Sequence, residues 1–245
     1  MTGLEADSRG SLGTVRNAVA LLHLLADGAQ YQHLTDLAER SGLSVPTVHR
    51  LLRSLSLAGL VEQDTHSARY GLGPELIRFS YRYLGRLPAL AALSPYLAPV
   101  RDTLGASVHV ALYLRGSVAY VDRAEGADSG LYRQPHRIAP ALSTAPGRLL
   151  AARADDAGWD QAIAGAVAAE RRTATQRRAA WRVADHLALA VPDRGVVEVA
   201  VPVVDGSGRA VAALVASVGD EDQVVKAAAE LSRAAGAASR VLGHG

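Results

Sequence analysis

The sequence predicts an α+β chain in two parts: a small helical part ending in a β-hairpin, then a larger part of antiparallel strands flanked by helices. Three observations predict it. Apolar residues recur at helical spacing from Val15 to Leu55, the period changes to two from Ser107 onward, and 245 residues suit two domains, or one large one, at about 100–200 residues per domain. The 49% hydrophobic residues supply ordinary cores, although aromatics are only 4%.

The elements follow in order. Residues 1–13 are small, polar and glycine-containing and read as a flexible tail. Val15, Ala18, Val19, Leu22, Leu25 and Ala26 form a first helix, with Thr14 as its N-cap and Gly28 past its end. A second helix covers 34–40 and stops at Gly42. Leu43 and Ser44 complete a tight turn, and Ser44 with Pro46 suits the start of a third helix ending near Gly59. Two short extended segments around Thr65–Ala68 read as a hairpin. Pro74 opens a linker helix over 74–87, and a helix over 88–103 begins the second domain, 88–245.

Beyond Ser107, strands are expected over 108–114 and 118–123, with an irregular third strand near 131–133 and Ile138. Helices are expected over 146–153, 159–170 and 175–187. A hairpin follows, 196–204 and 209–218 about Asp205-Gly-Ser-Gly208, and an amphipathic helix over 222–242.

Several function classes are excluded by composition and motif. Without cysteine there are no disulfides, Cys-ligated zinc or thiol nucleophiles. No apolar run reaches the ~20 residues of a membrane helix. Residues 18–26 are interrupted by His23 and preceded by Glu5 and Asp7, so they read as a core helix and not a signal segment. The chain is therefore expected in the cytoplasm, with no membrane partner. No nucleophile elbow, metalloprotease helix, phosphate loop or dinucleotide fingerprint occurs, and the eight His show no metal spacing. No enzyme activity, metal or cofactor is expected.

Charge alone does not point to nucleic acid. The net charge is +2, and within 14–73 the arginines 16, 40, 50, 53 and 69 are balanced by Asp27, Asp36, Glu39, Glu62 and Asp64. Arrangement is more informative. In the third helix Val48, Leu51, Leu52 and Leu55 share one face, leaving Pro46, Thr47, His49, Arg50 and Arg53 on the other with no acid between Glu39 and Glu62. Helix, turn and helix suit a DNA reader in the major groove. Arg50 has the fork for guanine O6 and N7, and Thr47 suits a thymine methyl or a phosphate. Ser44 sits at the head of this helix, and Arg69 in the hairpin is expected at the backbone or the minor groove.

Three segments then resemble one family in register. Thr47-Val48-His49-Arg50-Leu51-Leu52, Gly59-Leu60-Val61-Glu62 and Arg69-Tyr70-Gly71-Leu72-Gly73 are similar to conserved-pattern elements of the IclR family of bacterial regulators. The resemblance implies a winged helix-turn-helix, a linker helix and a GAF-like effector domain. It also implies a homodimer or tetramer on a pseudo-palindromic operator, repressor-type regulation, and an unknown small-molecule effector.

The effector domain departs from the family pattern. Residues 140–149 include Ser143, Thr144, Gly147 and Arg148, with Arg148 where the family often has Lys. A helix starting near Pro146 would aim N–H groups at Ser143 and Thr144, either as an anion site or as an ordinary cap. Glu198 stands where the family often has Cys, and of two expected serines in the last strand only Ser217 is present. Glu198, Ser217, Thr144 and His109 are the candidate lining. Glu198 either faces a cationic or hydroxyl-rich ligand or pairs with a sheet arginine. Two other functions stay open: an enzyme hiding Ser143 or Ser217 beside His109, and a protein–protein adaptor.

Overall fold

The computed structural model describes residues 4–126, 137–191 and 195–243, with side chains left aside for 4–12 and 221. The chain divides into two compact units, Met1–Tyr83 and Leu84–Gly245.

The first unit is built from α1 (Leu4–Ala26), α2 (Leu34–Ser41), α3 (Val45–Leu57), the strands β1 (Val61–Gln63) and β2 (Tyr70–Leu72), and α4 (Glu75–Leu84). Its core is Leu21, Leu25, Leu37, Val48, Leu51, Leu52 and Leu55, with Val61 and Tyr70 from the strands. The i, i+3, i+4, i+7 face of the third helix is thus buried as its spacing requires. Gly42, at φ 67°, takes the left-handed conformation that lets α2 turn into α3 and that costs a residue with a Cβ.

β1 and β2 pair antiparallel, Val61 with Leu72 through Gln63 with Tyr70. Gln32 adds a one-residue third strand. Its N–H donates to the Tyr70 carbonyl and its carbonyl accepts from the Tyr70 N–H, both at 2.9 Å.

One expectation for this unit is corrected. The first helix begins at Leu4, so 4–13, read as a flexible tail, is helical and Thr14 lies inside the helix. Gly10 and Gly13 suggested a tail because each costs a helix about 1 kcal/mol relative to Ala. No proline interrupts the stretch, however, and the helix runs through.

The second unit is a six-stranded antiparallel sheet of order β5-β4-β3-β8-β7-β6. Its strands are β3 (Val108–Leu114), β4 (Ser117–Ala124), β5 (Ile138–Pro140), β6 (Leu187–Val191), β7 (Val196–Val204) and β8 (Ala210–Val218). Helices α5 (Pro88–Leu104) and α9 (Val224–Leu242) cover one face, packing on Val108, Val110, Val199, Val201, Leu214 and Ala216. Helices α6 (Ala145–Arg153), α7 (Asp156–Ala164) and α8 (Ala168–Val183) lie with the other face, against Ala111, Val118, Ala200, Ala213 and Val215. Both faces are covered, so β3, β7 and β8 are nearly continuous apolar runs.

The helix–strand assignment over 156–191 is corrected as well. Asp155 caps α7 through the Gly158 N–H, and α8 begins at Ala168. Leu187, expected as the last residue of a helix, instead opens the edge strand β6, and 188–191, for which no element was expected, continue it. Leu187-Ala188-Leu189-Ala190 satisfies either period. Pairing of Leu187 through Val191 with Ala200 through Val196 of β7 decides for the strand, because sheet neighbours outweigh intrinsic propensity. The strand expected near 131–133 lies outside the described residues; Ile138 belongs to β5.

Burial of α3 sets a clear contrast in stability. Leu52→Ala, at a fully buried position, is expected to lose about 2–5 kcal/mol. Leu57→Ala on the same helix, 85% exposed, should stay within about 0.5 kcal/mol of the parent. Urea unfolding followed by circular dichroism measures both.

Candidate nucleic-acid interface and ligand cluster

Two groups of side chains are candidates, one in each unit. In the first, the buried stripe of α3 leaves Ser44, Pro46, His49, Arg50 and Arg53 exposed and Thr47 half-buried. Ser44 holds the extended N-cap backbone of α3, and its carbonyl accepts the Val48 N–H at 3.0 Å, but its side chain makes no bond to the helix N–H groups. Its hydroxyl lies 2.8 Å from Thr47 Oγ1, so the first-turn N–H groups keep no side-chain cap from it. No acid stands in that first turn, which leaves the positive end of the helix dipole uncompensated there.

The wing brings Arg69 to α2. The Arg69 Nε–H donates to His33 Nε2 at 3.0 Å, and His33 is the N-cap residue of α2. At the wing tip Asp64 Oδ2 accepts the Ser67 backbone N–H at 2.8 Å and the Ser67 hydroxyl. These bonds, the hydroxyl first, hold the Asp64 carboxyl below its ordinary value. Glu62 accepts the Tyr31 hydroxyl at 2.6 Å. Two acids of the wing are therefore engaged locally, and α3 itself contains no acid.

Sequence reasoning passed over Gln32, which is buried. Its amide donates to the carbonyls of Leu24 at 2.9 Å and Ala29 at 3.2 Å and accepts from Arg40. One side chain thereby ties the end of α1 and the last turn of α2 to the strand that pairs with the wing. An isolated Gln in a polar loop carries no signal for this.

In the second unit the cluster forms on the sheet face that meets α6. Val197 and Val199 face α5 and α9, so Glu198 between them faces the other way. Ser217 is its cross-strand partner on β8. Glu198 is 3% exposed. Its Oε1 accepts the Tyr120 hydroxyl at 2.7 Å and Arg137 Nη1 at 3.3 Å, and its Oε2 accepts the Ala145 N–H at 3.3 Å. The Arg137 guanidinium also lies 5.3 Å from the centroid of the Tyr120 ring, and His109 meets that ring edge-on at 5.8 Å. Burial first, and the Glu198 charge after it, push the Tyr120 phenol well above its ordinary value, so it stays a donor.

Thr144 is fully buried. Its hydroxyl caps α6 by accepting the Gly147 N–H at 3.1 Å and donates to the Ala141 carbonyl at 3.2 Å. The structure thus gathers His109, Thr144, Glu198 and Ser217 on one face, with Tyr120 and Arg137 that the sequence reading did not name. Tyr120 was legible, since it follows Val118 at period two; Arg137 precedes a three-residue strand and gave no signal. Of the two readings of Glu198, the structure shows the pairing with an arginine, Arg137, at a buried rather than a surface position.

Three expected members are turned elsewhere. Ser143 donates its hydroxyl to the Pro140 carbonyl at 2.8 Å. Arg148 donates to the Leu142 carbonyl at 2.8 Å and stacks over Trp181 at 5.4 Å. Gly147 packs so closely that a Cβ would sit 2.1 Å from the Ala141 carbonyl oxygen, which makes it a packing residue. Among the described residues no three His, Asp or Glu gather as a metal site, and no helix is long and apolar enough to cross a membrane.

A helix-turn-helix with a bridged wing, preceding a six-stranded antiparallel sheet clad on both faces, agrees with known proteins at several levels. The family model of the IclR helix-turn-helix domain matches residues 14–65. The N-terminal unit carries the helix-turn-helix domain of the IclR family of transcriptional regulators. Proteins similar to the chain include the glycerol operon regulatory protein of Streptomyces coelicolor, 34% identical over 143 residues, a match spanning 58% of this chain and only 56% of that protein. The regulator XynR of Escherichia coli is 27% identical, with 94% of this chain and 97% of XynR covered. Among solved structures, an IclR homologue from Microbacterium hydrocarbonoxydans complexed with 4-hydroxybenzoate superposes with a TM-score of 0.74 at 19% identity, covering 95% of this chain and 100% of that one.

Two tests follow from these side chains. Tyr120→Phe removes one donor from the buried Glu198 carboxyl and should cost about 1–3 kcal/mol, read by denaturant unfolding. At the wing, Asp64 has its folded value lowered. Its contribution to stability is therefore full above the unfolded carboxylate range and fades as pH falls through the lowered value. Ser67→Ala should move the Asp64 titration midpoint upward, as followed by NMR of its carboxyl carbon.

Proposed function

We propose that the chain is a sequence-specific DNA-binding regulator whose operator affinity is set by a small molecule in the C-terminal domain. The observation that carries it is the outward row on α3: Pro46, Thr47, His49, Arg50 and Arg53 opposite a fully apolar stripe. Residues 14–73 form the DNA-reading domain, 74–87 the linker helix and 88–245 the sensor. Arg50 and Thr47 read bases, while Ser44, Pro46, His49 and Arg53 flank them. Arg69 at the wing contacts the backbone. The protein works in the cytoplasm, where its operator is.

A second copy of the chain completes the reader. Helix α4 has no buried residue, and Ile77, Phe79, Tyr81 and Tyr83 are exposed, as are Val15 and Val19 of α1. Apolar exposure on this scale is what a self-association surface leaves on one protomer. A two-fold dimer requires a pseudo-palindromic site.

The sensor half draws support from the relative solved with 4-hydroxybenzoate and from the polar cluster of His109, Thr144, Glu198 and Ser217. Effector binding would shift the population between DNA-competent and incompetent arrangements.

Footprinting and fluorescence anisotropy on the DNA flanking the coding region test the reading. Protection of two half-sites about one helical turn apart, or a multiple of it, is expected, with affinity falling as salt rises. Arg50→Ala should lose about 1–3 kcal/mol on the preferred site and less on random DNA. Equal loss on both would show that Arg50 does not read a base.

A further inference from the structure

The surroundings of Glu198 have the chemistry of a carboxylate receptor. A phenol from β4, a guanidinium beside β5 and the first N–H of α6 all donate to one buried carboxyl group. Ala145 begins α6, so that carboxyl lies where a helix offers unpaired N–H groups and a favourable dipole. Tyr120, Arg137 and Ala145 come from three separate segments, and the carboxyl comes from a fourth, β7. Donors converging in this way from independent elements suit a free anion. Here the anion is tethered to the chain.

The tether has a definite size. Truncating Glu198 at Cβ removes a CH2–COO fragment, which is acetate less one hydrogen. The space left would therefore match the smallest monocarboxylates in volume and in donor geometry, with the Tyr120, Arg137 and Ala145 donors still in place.

We propose that the Glu198 carboxyl is an internal occupant of a carboxylate cage formed by Tyr120, Arg137 and the head of α6. The wild-type chain keeps this cage closed to free acids, and a chain without that carboxyl takes a small monocarboxylate there. For the sensor, the consequence is that the effector is recognised without an acid group entering this cage. That consequence rests on the regulator reading above, whereas the cage does not.

The test is thermal melting of the full chain in sodium acetate against sodium chloride at equal pH and ionic strength. Glu198→Ala should melt below the wild type. Acetate but not chloride should raise its melting temperature with the logarithm of concentration, as a ligand bound only by the folded state does. Arg137→Ala in that background should abolish the response. Wild type and Glu198→Gln, in which the cage stays filled, should answer acetate and chloride alike.

If Glu198→Ala is not soluble, refolding yield in acetate against chloride gives the same comparison. Equal effects of the two salts on Glu198→Ala, or a saturable acetate response in the wild type or in Glu198→Gln, would overturn the proposal. Melting involves no DNA, so that failure leaves operator recognition untouched, and failed operator binding leaves the cage untouched.

Discussion

Placing a carboxyl group between two apolar layers is unfavourable unless its oxygens find donors, and the C-terminal unit is organised around meeting that demand for Glu198. The group cannot turn to solvent, because its neighbours Val197 and Val199 fix β7 with their side chains against α5 and α9. It therefore points at the opposite layer, and that layer must supply donors. Tyr120 reaches it from β4 and Arg137 from the chain entering β5, while α6 begins so that its first N–H meets Oε2. Thr144 and Gly147 then follow from the same requirement. The threonine caps the helix that must start there, and the glycine lets its first turn approach the Ala141 carbonyl.

The N-terminal unit solves a smaller version of the same problem with a neutral group. Gln32 is buried, and each end of its amide is bonded to a different helix. Its backbone pairs with Tyr70 of the wing. Helices and wing thus share one polar anchor beneath an otherwise aliphatic core, and α3 is held with its cationic face outward. Recognition of DNA needs this fixed presentation more than it needs net charge, which the domain does not have in excess.

The arginines show how one residue type serves different ends according to its neighbours. Arg50 and Arg53 are exposed beside no acid on α3. Arg148 and Arg178 lie over Trp181 and Trp159, and Arg153 donates to the carbonyls of Trp181 and Ala184 at the end of α8. These last three fasten the helical layer. A motif match that equated Arg148 with a ligand-binding cation could not have known that Trp181 would stand beside it.

Local periodicity determined most of the fold. The stripe of Val48, Leu51, Leu52 and Leu55, the left-handed Gly42, the alternation from Val108 to Leu114 and the Asp205–Gly208 turn each carry their structure in a few neighbouring residues, because a helix or a strand face is set by spacing alone. The outward row of Pro46, Thr47, His49, Arg50 and Arg53 on α3 was legible for the same reason, as the complement of a buried stripe. Tertiary structure decided the rest. β6 became a strand because β7 offered it an open edge; Arg137 joined Glu198 from 61 residues away in sequence; and Gln32 turned from a loop residue into an anchor. In each case the deciding partner lies far along the chain, and one sequence holds no record of which distant groups will be desolvated together.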